Sequence, residues 1–176
     1  MGEREPQFTS ESELTFETQK AAASDFLKRE SAGEEDLGRG FYENTGKMDD
    51  GIRVLVHHLN QLPFLYTTGS CEGHIFFSKR LPEGKVLYAG GDITFEIDHS
   101  ARSQQFITEL GELVKGYADS GASLHMGRMG GLVHFSRTFG KVKVDIALAT
   151  ELAAKRDDLK SKIDNLVVAF INAGED

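Results

Sequence analysis

The chain has 176 residues, 39% of them hydrophobic, and a formal net charge of −8. That length suits one domain with its own core, and no apolar run approaches the roughly 20 residues that span a bilayer. The acidic balance weighs against a general nucleic-acid binder, because phosphate neutralisation dominates such affinity, although a local basic patch can act within an acidic whole.

Cys71 is the single cysteine, so no intramolecular disulfide is available and a reducing cytoplasm is the simplest compartment. The N-terminal stretch lacks the basic and apolar regions of a signal peptide. Residues 1–10 read as a polar tail and residues 11–176 as one domain. Residues 12–30 suit a helix, with Phe16, Ala23, Phe26 and Leu27 on one face. A charged, glycine-rich connection follows at 31–40. Residues 50–61 give a stronger helix signal: Asp49 or Asp50 can cap it, and Ile52, Leu55, Val56 and Leu59 form one apolar stripe. Pro63 ends it.

Strand-like runs come next, one leading into Cys71 and one leading out from His74. Residues 83–85 resemble a hairpin loop, and 92–98 alternate with Ile93, Phe95 and Ile97 on one face. Residues 101–119 return to helix, with a stripe of Phe106, Leu110, Leu113 and Tyr117 and a stop at Gly121. Three strands are expected within 122–128, 131–138 and 141–148, and a last helix over roughly 150–172. Strands grouped with short turns imply a mostly antiparallel or mixed sheet, and helices covering one face make an α+β fold. A Rossmann fold is not expected, because the glycine run at 127–131 lies between strands rather than leading a strand into a helix.

The run around Cys71 carries the candidate chemistry. Gly69 and Gly73 flank the thiol and permit positive φ or close approach of a ligand. Thr67, Thr68 and Ser70 add hydroxyls, and His74 lies three residues beyond the cysteine, where an imidazole can favour a thiolate. The alternative is a plain hairpin loop holding a small buried thiol. A thiol or metal site at Cys71 and His74 has ligand-compatible spacing, with His125 or His134 as partners from other strands. Only one such pair is present, short of the four ligands of a structural zinc. A second candidate is the segment 124–141, where Arg128, Arg137 and Lys141 interleave with His125, His134, Phe135 and Phe139. Such a face can hold an anion or stack a nucleotide, or it can be a solvated sheet face.

Residues 48–75 resemble the family of tRNA wybutosine-synthesis methyltransferases, the third-step enzymes and their archaeal relatives. Leu55, Val56, Leu59, Asn60, Thr67, Thr68, Ser70, Cys71 and Gly73 match that family's helix and its Thr-Thr-Ser-Ser-Cys-Ser-Gly-Arg run in order. Gly69 and Glu72 stand where the family has serine, and His74 where it has arginine. Residues 132–139 look like the family's Leu-His-Val strand, with His134 in the histidine position. The resemblance implies a mixed α/β fold outside the usual methyltransferase class, S-adenosylmethionine as cofactor, and a modified guanosine in tRNA as substrate. It also implies that the 67–74 run lines the pocket, with Thr67, Thr68, Ser70, Cys71 and Gly73 as binding residues and His74 or His134 against the acceptor base. Arg128 and Arg137 are added as binding residues from the basic segment. A non-catalytic small-ligand module on the same fold is the alternative from a different class.

Overall fold

A computed structural model describes residues 9–33, 48–137 and 140–174. The first helix, α1 (Thr9–Ser31), begins inside the stretch expected as a tail. It buries Phe16, Ala23, Phe26 and Leu27, the face expected from spacing. Most of the 31–40 connection lies outside the described residues. The second helix, α2 (Asp50–Gln61), buries its stripe of Ile52, Leu55, Val56 and Leu59. Just past it the chain turns extended at Leu62. There Lys20 Nζ of α1 donates to the carbonyls of Asn60, Leu62 and Leu65 at 3.1, 2.7 and 2.6 Å. A cation thus satisfies carbonyls that the helix end leaves open. Burial in that position lowers Lys20 to about 8.

The strands form two sheets. The first contains β1 (Leu65–Cys71), β4 (Asp92–Ile97), β5 (Ser123–Met126) and β6 (Gly130–His134), in the order β1-β4-β6-β5. The second contains β2 (His74–Phe76), β3 (Lys85–Ala89) and β7 (Val142–Asp145), in the order β2-β3-β7. Every pairing is antiparallel, as expected for an α+β domain.

The run at Cys71 is not a hairpin. Cys71 pairs with Asp92 in the first sheet and His74 pairs with Ala89 in the second. The two residue-number sums are equal, so β1–β2 and β3–β4 continue one long antiparallel ribbon across a bend. The bend falls at Glu72–Gly73 on one strand and Gly90–Gly91 on the other. Gly73 has φ +85° and Gly91 φ +80°, a conformation that costs other residues energy. The chain reverses only later, between β2 and β3. The expected turn is therefore a corner where paired strands pass from one sheet to the next.

Helix α3 (Ala101–Lys115) is capped by Ser100, whose side chain accepts from Ser103 N. It buries Phe106, Leu110 and Val114, while Leu113 and Tyr117 flank the core. A short 3-10 turn, Ala118–Ser120, then stops at Gly121 in the left-handed region, φ 86°. The last helix, α4 (Ile146–Asn172), starts earlier than expected. The strand expected over 141–148 ends at Asp145, which takes the N-cap position. Ile146 is 44% exposed rather than inward-facing. The strong helix formers from Ala147 to Lys155 account for this.

Two cores result. The larger lies against the first sheet and joins residues of α1, α2 and α3 with Leu159, Ile163, Val167 and Phe170 of α4. The smaller joins Val86, Tyr88 and Val144 of the second sheet to Ala149 and Leu152. Each fully buried aliphatic side chain contributes about 1.5–3 kcal/mol. Helix α4 thus bridges both sheets; Arg156 falls between its two apolar segments and Lys160 just inside the second, next to Leu159. Among the described residues no helix is long and apolar enough to cross a membrane.

Candidate functional site

Three elements meet at the corner: the N-terminus of α2, the bent ribbon and the middle of α4. Asp49 occupies the N-cap position of α2 but makes no capping bond to the helix. Its Oδ2 instead accepts from Glu72 N at 3.4 Å. Glu72 supplies the cap from the corner, its Oε2 accepting from Gly51 N at 2.6 Å. A carboxylate so placed satisfies an open N–H and meets the positive end of the helix dipole. A Cβ at Gly51 would lie 2.1 Å from that oxygen, so a larger residue there would push the Glu72 carboxylate off its bond. From the other side, Lys160 Nζ donates to the carbonyls of Gly51 and Glu72 at 3.4 and 3.2 Å.

Asp49, Cys71 and His74 are brought together, each half-buried, with one potential ligand atom apiece all within 4.8 Å of one another. His74 Nε2 is 3.5 Å from Asp49 Oδ2, and its Nδ1 is 3.8 Å from Glu72 Oε1. Burial pushes the Cys71 thiol up; a hydrogen bond from the Gly73 backbone opposes it, and the carboxylates of Asp92, Asp49 and Glu72 add to the rise. These surroundings work against the thiolate that the spacing to His74 suggests.

The first sheet extends this cluster sideways. Cys71 is opposite Asp92, Asp92 is opposite His134, and His134 is opposite Ser123. Directly opposed residues share a face, so one transverse row carries a thiol, a carboxylate, an imidazole and a hydroxyl. Burial lowers the His134 imidazole, with Asp92 opposing, and raises the Asp92 carboxyl, with His134 opposing. The His125 ring lies 5.7 Å from that of His134, edge to face, and Ser123 Oγ is 3.0 Å from His125 Nε2. His125 and His134 are thus neighbours, as their strands suggested, but neither joins the Asp49–Cys71–His74 cluster.

On the α4 side of the corner lies a cleft of about 390 Å³, lined in part by Gly51, Glu72, Gly73, Arg156, Lys160 and Asp164. Arg156 Nε binds Asp157 Oδ1 at 3.0 Å, while its Nη1 is buried with no hydrogen-bond partner among the described residues. Asp157 is held below the usual carboxylate range by Arg156 and Lys160, against the effect of burial. Asp164 receives His58 Nδ1 at 2.7 Å.

The remaining expected site residues divide. Thr67 is fully buried; its N–H donates to Asn60 Oδ1, and its Oγ1 accepts from Asn60 Nδ2. It joins β1 to α2 and is closed to a ligand, which corrects its assignment to the pocket. Thr68 sits at the bulge between Thr67 and Gly69. Gly69 leaves room for Thr94, whose Oγ1 would be 2.8 Å from a Cβ there. Ser70 is half-buried and faces Ile93. Arg128 is exposed in the β5–β6 turn, at the opposite end of β6 from His134. Arg137 is exposed three residues beyond His134, and its backbone packs against Gly90 and Gly121. Lys141 lies over the Phe76 ring at 4.1 Å. The basic segment is thus spread out rather than gathered at the corner; Phe139 lies outside the described residues.

Sequence reasoning missed Asp92, Arg156 and Lys160 as parts of the site. Asp92 was visible as one polar position of an alternating strand. Arg156 and Lys160 sit at i and i+4 on one helix, Arg156 in the polar gap that precedes Leu159, which was the available signal. No family model matches the chain, and no curated protein does. Among solved structures it is similar to the PH1069 protein from Pyrococcus horikoshii, with 8% identity and a TM-score of 0.47, over 95% of this chain and 97% of that one.

Proposed function

We propose that this chain is an S-adenosylmethionine-dependent methyltransferase of the wybutosine-synthesis type, acting on a modified guanosine in tRNA. One observation carries the reading: the register that puts Cys71, Asp92 and His134 in a single row. The two stretches that resemble the family, 48–75 and 132–139, are far apart in sequence, and their polar members meet on one face of one sheet. The matched Leu55, Val56 and Leu59 are core, and the matched Asn60 and Thr67 bind each other. That leaves Thr68, Ser70, Cys71 and Gly73 as the matched residues with chemistry to spare.

The cleft beside the corner suits the cofactor by its donor set. A volume of about 390 Å³ lies in the range of small-molecule sites. Arg156, whose Nη1 is unpartnered among the described residues, would hold a carboxylate, with Lys160 adding charge nearby while its donors serve Gly51, Glu72 and Asp157. Asp157 and Asp164 would take an ammonium and ribose hydroxyls. Gly73 lets Arg156 Nη1 and the Ala89 carbonyl pack closely, and Arg156 supplies the fixed positive charge that the family carries where His74 stands here. When bound, the cofactor supplies the methyl group. Methyl transfer to a ring nitrogen depends mainly on holding donor and acceptor together. The acceptor's displaced proton would pass to a ring nitrogen of His134, which burial keeps neutral. Asp92 would orient that imidazole. Exposed Arg128 and Arg137 would meet tRNA phosphates, and a cytoplasmic location follows from that substrate.

Calorimetric titration with S-adenosylmethionine and radiolabelled methyl transfer to tRNA lacking the later wybutosine steps test this. Binding together with label incorporation is the expected result. No binding at millimolar cofactor removes the reading. The cleft also favours a second one, a small-ligand module without catalysis: cofactor or nucleotide binding with no label transferred to any tRNA would select it.

A further inference from the structure

We propose that Asp49, Cys71 and His74 form a binding site for a divalent transition metal of the zinc class. The three residues come from the start of α2, the end of β1 and the start of β2, and their donor atoms already lie within 4.8 Å of one another. A carboxylate oxygen, a thiol sulfur and an imidazole nitrogen are the mixed donor set that zinc accepts and that magnesium and calcium do not. Three protein ligands leave a fourth position open. His74 and Asp49 are partly exposed, at 38% and 35% of their side-chain surface, so water or substrate can reach that position.

The surroundings point the same way. His74 sits between two carboxylates without a close bond to either, at 3.5 Å from Asp49 and 3.8 Å from Glu72. A charge-assisted bond between such groups would close to about 2.7–2.9 Å. The ring instead presents Nε2 toward Asp49 and Nδ1 toward Glu72. An ion bound at Nε2 would leave Glu72 as the nearest outer acceptor for the other ring nitrogen, with 3.8 Å still to close. Glu72 is itself fixed by Gly51 N, and the backbone around it is fixed by close packing of Gly91 against Cys71 O and the Glu72 carbonyl. The ligands are therefore held by the corner rather than assembled by the ion. Asp49, Glu72 and Asp92 gather negative charge about the thiol, a field that a cation relieves. On binding, the Cys71 S–H bond breaks, the sulfur–metal bond forms, and one proton is released to solvent for each ion bound. The inference does not depend on methyl transfer: Asp49, Cys71 and His74 are not among the residues that line the α4 cleft.

The test uses the full chain, stripped with a chelator and titrated with zinc by calorimetry and with cobalt(II) by absorbance. One ion per chain at micromolar or tighter affinity is expected, with about one proton released, read from the buffer dependence of the enthalpy, and a higher melting temperature. Cobalt should give a thiolate charge-transfer band in the near ultraviolet. Cys71→Ser should abolish the band and weaken zinc at least about tenfold, and Glu72→Gln should weaken zinc by about 10–100-fold while keeping the band. Absence of stoichiometric zinc binding by the unmodified chain overturns the proposal, as does a cobalt complex without the thiolate band. These two readouts decide it even where a variant fails to fold. A parallel titration with S-adenosylmethionine separates this outcome from failure of the methyltransferase reading.

Discussion

The corner at Cys71–His74 and the β5–β6 turn at residues 127–129 are both glycine-rich breaks beside strands of the same sheet, and they differ in what they are tied to. At the corner, Glu72 is bonded through its side chain to Gly51, through its N–H to Asp49 and through its carbonyl to Lys160. Gly91 packs against the same backbone. The β5–β6 turn closes on itself by Gly127 N to Gly130 O at 2.7 Å and exposes Met126, Arg128 and Met129. Glycine content does not distinguish a site from a turn. Polar ties to distant elements do, because they hold side chains in one arrangement against the entropy of a surface loop.

The largest effect expected from this contrast is on activity. If the transverse row works as proposed, His134→Gln should lower methyl transfer to tRNA by at least about a hundredfold, equivalent to about 2.7 kcal/mol. A label-transfer rate within a few-fold of the parent protein would break the row as a catalytic unit.

Backbone substitutions sharpen the comparison directly. At Gly91 a Cβ would meet Cys71 O at 2.6 Å, on backbone already at φ +80°. Gly91→Ala should therefore destabilise by about 3 kcal/mol. Gly127 has Gly130 O at an ordinary 3.7 Å, so Gly127→Ala should fall within about 0.5 kcal/mol of the parent. Urea denaturation of the two variants measures the difference; equal losses would mean that the corner is no more constrained than the turn.

A smaller effect is expected for the side-chain cap. Glu72→Ala removes the acceptor for Gly51 N and should cost about 1 kcal/mol, whereas Arg128→Ala should change stability by no more than about 0.5 kcal/mol. Thermal melts of both, compared at matched pH, decide whether Glu72 ties α2 to the ribbon.

The smallest effect is a pH dependence. The folded pKa of His134 is lowered from 6.5, so the unfolded chain binds this proton first as pH falls. Stability should then decline below pH 6.5 until the folded imidazole is also protonated. Asp92, raised from 3.8, works in the opposite sense at lower pH, since the folded form takes its proton first. His134→Gln should flatten the decline below 6.5. An imidazole proton resonance of His134 that titrates at or above 6.5 in the folded protein would contradict the burial argument.

Periodicity and stop signals are local properties, and they were legible. The stripe of α2, the alternation of β4 and the stop at Gly121 follow from residues near one another in the chain. The boundary between β7 and α4 was read less well, because the same Val-Lys-Val-Asp-Ile alternation continues into a segment whose helix propensity takes over at Ile146. At the corner, the composition of the 67–74 run singles out the segment, but a local reading also allows a plain reversal there. Gly73 alone suggests a tight turn. Only its opposition to Gly90–Gly91, on a strand paired at constant register, makes it a bend in a continuing ribbon.

The amino-acid order by itself determined the α+β class, the apolar faces of the helices, and the place where thiol, imidazole and hydroxyls concentrate. Those features depend on side chains a few residues apart, where spacing and local propensity govern. Tertiary structure alone decided that Asp49 and Glu72 exchange the roles expected of a cap, that Thr67 is sealed inside, that Asp92 stands between Cys71 and His134, and that Arg156 and Lys160 reach the corner. Each of these is set by strand register and by the crossing of α4 over both sheets. Such pairings are fixed by burying the apolar cores together, and no local pattern in the chain encodes which distant polar groups that burial brings into contact.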